Sequence, residues 1–178
     1  SNLYQIALQA ELSNRLTTLT GMDNVFFCNS GTEANEAAIK LARKYGQLKG
    51  IENPVILTME KSFHGRTMGA MSATANAKIK QGFQPLLEGF IHVPYDDITA
   101  VEQAIEQTPN MVAILVEPVQ GEGGVNIPAT DYLNRLRQLC DQHQLLLMLD
   151  EIQAGVGRTG QFMAYQHNGH YPGCLYNG

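Results

Sequence analysis

The run Leu145-Leu146-Leu147-Met148-Leu149 stops abruptly at Asp150-Glu151-Ile152-Gln153. Five consecutive apolar residues ahead of a pair of acids predict a strand buried on both faces, ending in a carboxylate. Strands of that kind belong to parallel sheets sandwiched between helices. In open α/β sheets ligands bind beyond the carboxyl ends of the strands, so Asp150 is placed to meet one.

Working outward, residues 25–28, 55–59, 90–93 and 111–116 read as four further strands. Between them lie helical periods at about residues 3–19, 33–45, 98–105 and 130–143; residues 76–89 resist assignment. The first helix carries Leu8, Leu12, Leu16 and Leu19 as an apolar stripe and stops at Gly21, and the second ends at Gly46. Asp97 is expected to cap the helix bearing Ile98, Val101 and Ile105. Residues 169–178 show two Gly-containing turns and no closing element. Strands alternating with helices predict an α/β fold, a mostly parallel sheet with helices on both faces. Residues 29–32, 62–66, 117–124 and 150–158 each follow a predicted strand, so all four segments are expected to converge on one edge of the sheet.

A chain of 178 residues is about one domain with room for a sizeable core. Twelve basic against seventeen acidic residues, without basic runs, argue against nucleic acid as a partner. Three scattered cysteines, Cys28, Cys140 and Cys174, fit core or loop thiols of a reducing compartment better than a disulfide framework. No run approaches the roughly 18 apolar residues of a membrane span, and no secretory signal pattern opens the sequence; a cytoplasmic protein is expected.

The converging segments carry chemistry. Ser30-Gly31-Thr32 precedes a helix, whose free N–H groups and dipole suit a phosphate; the bland alternative is an ordinary helix cap. Phe63 can stack on a flat ring, and Arg66 offers a planar fork for a carboxylate, unless they are simply a core aromatic and a solvated cation. Glu117 and Glu122 frame a Pro- and Gly-containing loop, where surface acids would be the default. The five histidines show only His167-x-x-His170 as a weak ligand pair, so no metal is expected. Asp150 held against a pyridine nitrogen would favour the protonated ring, which can accept electrons from a bond broken at an attached carbon. It could instead cap the next turn.

With those residues collected, the sequence resembles the class III (ω-amino) aminotransferases, pyridoxal-phosphate enzymes of fold type I, and most closely their acetylornithine branch. The carriers are residues 29–36 (Asn-Ser-Gly-Thr-Glu-Ala-Asn-Glu), 63–67 (Phe-His-Gly-Arg-Thr), 117–124 (Glu-Pro-Val-Gln-Gly-Glu-Gly-Gly) and 150–160, from Asp150-Glu151-Ile152-Gln153 to Gly157-Arg158-Thr159-Gly160. The resemblance implies that Ser30, Gly31 and Thr32 hold the cofactor phosphate, Phe63 stacks on the ring, Asp150 binds its nitrogen and Gln153 lies near its hydroxyl. It implies that Arg66 takes the substrate α-carboxylate, that Glu117 acts beside cofactor and substrate, and that Glu122 pairs with a distant arginine during donor exchange.

The resemblance further implies transamination of N-acetylornithine with 2-oxoglutarate in arginine biosynthesis, and a homodimer. Ornithine, succinylornithine and GABA aminotransferases are the alternatives within the family. One departure stands out: no lysine follows Lys80, whereas the family's Schiff-base lysine sits on a strand that would fall past Gly178. Residues 1–178 are therefore expected to form the central part of the cofactor-binding large domain, without the N-terminal segment, the lysine strand or the small C-terminal domain. Such a chain alone should not transaminate. A non-catalytic remnant that binds a phosphate ligand or a partner subunit is the rival; a nucleotide-dependent oxidoreductase lacks its Gly-x-Gly-x-x-Gly turn.

Overall fold

The computed structural model describes residues 3–169 and 174–176. Helices α1 (Ala7–Thr20) and α2 (Gly31–Leu48) precede β1 (Val55–Met59), which is followed by α3 (Met68–Ala73) and α4 (Ala77–Lys80). Then come β2 (Phe90–Val93), α5 (Ile98–Gln107), β3 (Met111–Val116), α6 (Tyr132–His143), β4 (Leu146–Asp150), a 3-10 helix (Ala164–Asn168) and β5 (Cys174–Tyr176). The strands pair in parallel in the order β2-β1-β3-β4-β5.

Every residue of β3 is buried, as a central strand covered on both faces requires. From Ala113 to Val116 its side chains alternate between two cores. Ile114 and Val116, with Leu147 and Leu149 of β4, pack against Val101 and Ile105 of α5 and Leu133, Leu136 and Cys140 of α6. Ala113 and Leu115, with Met148, face Ala34, Ala38, Ile39 and Ala42 of α2. This is the expected parallel sheet with helices on both faces. Asp97 caps α5 as expected, its side chain accepting from the Ala100 N–H at 3.0 Å.

Alanines four residues apart give α2 a flat face that lies close to the sheet. Gly46 continues that stripe at the next turn, so the helix runs past it to Leu48 instead of ending there. A Cβ at position 46 would stand 2.8 Å from both Pro54 Cβ and Val112 Cγ1. The glycine serves a close approach, and a conformation typical of a helix stop is left to Gly50, at φ +77°.

The structure departs from the sequence reading at further points. Residues 25–28 lie outside the sheet, because neither edge strand, β2 or β5, offers them its N–H and C=O groups. The fifth strand comes instead from the tail, where Cys174–Tyr176 pairs with Met148, Leu149 and Asp150. The leucine stripe of α1 does not join either core: Leu8 is 76% exposed, Leu12 47% and Leu19 48%. The helix starts at Ala7, not residue 3, and its end is as expected, with Gly21 left-handed at φ 68° and its N–H donating to Thr17 O. Among the described residues no helix is long and apolar enough to cross a membrane.

Alanine in place of a helical glycine gains about 1 kcal/mol of propensity, whereas overpacking costs about 1–3 kcal/mol. With two carbons at 2.8 Å, Gly46→Ala is expected to lose about 1 kcal/mol net. A denaturant midpoint at or above that of the unsubstituted chain would show that Pro54 and Val112 give way freely.

Candidate functional site

Strand β4 ends in Asp150, whose carboxyl is carried into the interior with 4% exposure. Burying a carboxylate is costly unless donors surround it, and three meet it. Oδ2 lies 2.7 Å from His64 Nδ1 and accepts from Asn35 Nδ2 at 3.0 Å; Oδ1 accepts from the Ile152 N–H at 3.2 Å. The last bond caps the following turn, as the alternative reading of Asp150 expects. Facing a carboxylate, which only accepts when ionised, the Nδ1 atom of His64 is the one suited to carry the ring hydrogen. His64 Nε2, also buried, has no hydrogen-bond partner among the described residues.

His64 is itself fixed from both sides. Its backbone N–H donates to Thr74 Oγ1 at 2.8 Å, and Thr74 Oγ1 donates to Ala70 O at 2.9 Å. The segment is tied to α2 by Glu36, whose Oε1 accepts from Gly69 N (3.0 Å), Ala70 N (3.1 Å) and Thr67 Oγ1. Between these ties Gly65 takes φ +130° against Thr32 and Ala70, where a Cβ would meet Ala70 Cβ at 3.0 Å.

Glu117 follows β3 and is 4% exposed. Burial pushes its pKa up to about 7; nearby His64 and the N–H groups of Phe63 and Gly121 pull it down, and the Asp150 charge adds to the rise. The Phe63 N–H lies 3.4 Å from Glu117 Oε2.

At the head of α2, Ser30 Oγ accepts from the Glu33 N–H at 3.3 Å, leaving the first N–H groups of the helix without acceptors inside it. Gly31 lies against Ile152, with room for no Cβ: one would stand 2.9 Å from Ile152 Cγ2. These parts enclose a cavity of about 180 Å³ lined by Ser30, Gly31, Thr32, Asn35, Phe63, His64, Gly65, Glu117, Asp150, Ile152 and Gln153. A larger hollow of about 360 Å³, around Asp96, Asp97, Asp131 and Arg135, shares no residue with it.

Ser30, Gly31, Thr32, Phe63, Glu117, Asp150 and Gln153 thus come together, although residues 29–32 enter from α2 and not from a strand. Arg66 and Glu122 are exposed and do not line the cavity. Asn35 and His64 stood inside quoted motifs without a role, because their partner is more than 80 residues away in the chain. Of the His167-x-x-His170 pair, His170 lies outside the described residues, and His167 bonds Thr159 O at 3.0 Å.

The sequence profile of the class III aminotransferases matches residues 1–177. The chain belongs to that family. It is 55% identical over 175 residues to the acetylornithine aminotransferase of Nitrosomonas europaea, covering 98% of this chain and 44% of that relative. Against the acetylornithine aminotransferase of Methanocaldococcus jannaschii the identity is 47% over 176 residues, again 98% and 44%. Among solved structures, the ornithine aminotransferase of Toxoplasma gondii, which holds PLP at its active site at partial occupancy, superposes with a TM-score of 0.94 at 36% identity, covering 99% of this chain and 42% of that one. The N-acetylornithine aminotransferase of Stenotrophomonas maltophilia gives 0.82 at 35% identity, with 98% and 43% covered. This class III chain therefore spans somewhat over two fifths of the length of its relatives.

The family implies pyridoxal phosphate, and the residues present in this class III chain fit it. A phosphate suits the α2 terminus. A pre-positioned, buried carboxylate suits a ring nitrogen, and the closeness of Gly31 to Ile152 and of Gly65 to Thr32 leaves the cavity free of side chains at two walls.

Because the folded-state pKa of Glu117 lies above its ordinary 4.5, the folded form binds the proton more tightly. The stability this contributes is complete below about pH 4.5 and is lost as pH rises towards about 7. Glu117→Gln should therefore gain on the unsubstituted chain by ~1–3 kcal/mol between those limits. Unfolding curves whose difference is flat with pH would contradict a buried, titrating Glu117.

Proposed function

We propose that the protein carrying this chain transfers an amino group from N-acetylornithine to 2-oxoglutarate with pyridoxal phosphate. Residues 1–178 would form the central part of the cofactor-binding large domain. The observation that carries the reading is the buried Asp150 carboxyl, held by His64, Asn35 and the Ile152 N–H at the wall of a cavity whose other end is a helix N-terminus. The preference for N-acetylornithine over ornithine, succinylornithine or GABA is supported by relatives of that name at 47–55% identity.

When bound, the cofactor supplies an electron sink for the bond broken at the substrate α-carbon. The chain's own residues prepare for it. Asp150 would hold a proton on the ring nitrogen, since a neighbouring anion favours the protonated form of a pyridine by about 1.4 kcal/mol per pK unit. His64 and Asn35 keep that carboxyl aimed. Gly31 and Thr32 N–H groups, with the Ser30 hydroxyl, would bind the phosphate, where each charge-assisted hydrogen bond contributes roughly 1.5–3 kcal/mol. Phe63 would cover a ring face, and Gln153 would lie by the ring hydroxyl. Glu117, with its pKa raised to about 7, can hold or release a proton beside the ring near neutral pH. Arg66 and Glu122 would serve the substrate carboxylate and donor exchange after moving inward from their exposed positions. The large-domain part would pair with a second copy, and the protein would work in the cytoplasm.

None of the residues lining the cavity is a lysine. The last lysine of the sequence, Lys80, donates to Ser72 O at 3.3 Å instead. That favours a second reading for the chain by itself, a binding unit that retains the cofactor without chemistry.

Pyridoxamine phosphate requires no lysine to bind and so tests the site directly. Saturable quenching of its fluorescence by the chain is expected, with Asp150→Ala weakening it by at least about tenfold. Absence of binding, or binding indifferent to Asp150, would overturn the site. For the whole protein, N-acetylornithine is expected to give the highest kcat/KM among the four donors; a higher value for ornithine or GABA would move the assignment to that branch.

A further inference from the structure

Glu151 has no part in the scheme above, yet it is fully buried one position past Asp150. Its Oε2 accepts from the Ala164 N–H at 2.6 Å and its Oε1 from the Tyr165 N–H at 2.8 Å. These are the first two residues of the 3-10 helix, whose leading N–H groups have no acceptor inside the helix. The backbone oxygen of Glu151 accepts from the Gly155 N–H at 2.8 Å. Gly155 sits so near that a Cβ there would be 2.9 Å from that oxygen and 3.1 Å from Oε2. Both ends of the loop 152–163 therefore hang on one residue.

That loop forms a wall of the cavity. Ile152 packs beneath Gly31, and Gln153 lies against Gly121, where a Cβ would be 2.7 Å from its Cδ. On the far side, Tyr165 Oη donates to Thr20 O and Gln166 Nε2 to Leu19 O at 2.8 Å, so the helix that Glu151 caps also holds the end of α1. Ten residues after Thr20 the chain reaches Ser30.

We propose that Glu151 is a positioning residue of the cofactor site: its two carboxylate oxygens join the end of β4 to the start of the 3-10 helix and thereby set Ile152 and Gln153 in the cavity wall. Its effect on ligand rests on the reading of that cavity as a pyridoxal phosphate site; its effect on the loop does not. Two N–H donors need two acceptors, and glutamine offers only one oxygen while turning an NH2 towards the second donor.

The test begins with hydrogen exchange on the ligand-free chain. Glu151→Gln is expected to raise exchange at Gln153, Ala164 and Tyr165 by tenfold or more while β3 and β4 stay protected. Gly155→Ala, which presses on the same carboxylate, should do the same and stands in if the first variant fails to fold. Pyridoxamine phosphate should then bind about tenfold more weakly to Glu151→Gln. In a Gln153→Ala background the further loss from Glu151→Gln should largely vanish, since the two act through one contact. Unchanged exchange at the loop, a uniform rise that includes β3, or fully additive losses would each overturn the proposal. Failure of the unsubstituted chain to bind pyridoxamine phosphate would refute the cavity's assignment, and the exchange data would still decide whether Glu151 sets the loop.

Discussion

A carboxylate cannot be taken out of water without donors to replace it, and in this chain that requirement falls on Asp150. The three groups that satisfy it come from α2, from the segment after β1 and from the turn after β4. Each would be left with a mismatched neighbour if the others moved. The buried acid thus ties together parts separated by up to 115 residues in the chain, and it does so at the wall of the cavity.

Sheet order explains why the remaining groups gather there. Strands β1, β3 and β4 are adjacent in the order β2-β1-β3-β4-β5, and all run the same way. The segments beginning at Ser62, Glu117 and Asp150 therefore leave the same edge side by side, as parallel α/β sheets arrange their ligand sites. Glu36 and Glu151 play corresponding parts at two borders of this group, each using a carboxylate to hold backbone N–H groups at the start of a short helix. Acids outside the cavity lining thus brace the segments that carry Asp150 and Glu117 into it.

Local signals were enough for much of this. Apolar runs marked β3 and β4, Asp97 marked the start of α5, and Ser30-Gly31-Thr32 marked a helix N-terminus. What sequence could not show were features decided by distant partners. Residues 25–28 have strand-forming side chains but no sheet edge, whereas Cys174–Tyr176, in a segment full of turn residues, is recruited by the open side of β4. Gly46 looked like a stop because a helix period ends near it; only the proximity of Pro54 and Val112 shows why the residue lacks a side chain. Asn35 and His64 were visible as letters of motifs, and their task appeared only with Asp150 beside them.

The tight seating of α2 has an outcome for how substitutions would be interpreted. A helix of 18 residues is a stiff rod about 27 Å long, pressed on the sheet at Gly46 and offering its amides to an anion at Gly31. Bulk added at the remote tip would tilt the whole rod and displace the Ser30-Gly31-Thr32 end of the cavity from afar. A survey of variants would then score Gly46 among the ligand-binding positions, although it never comes near the ligand, and the error would be one of leverage.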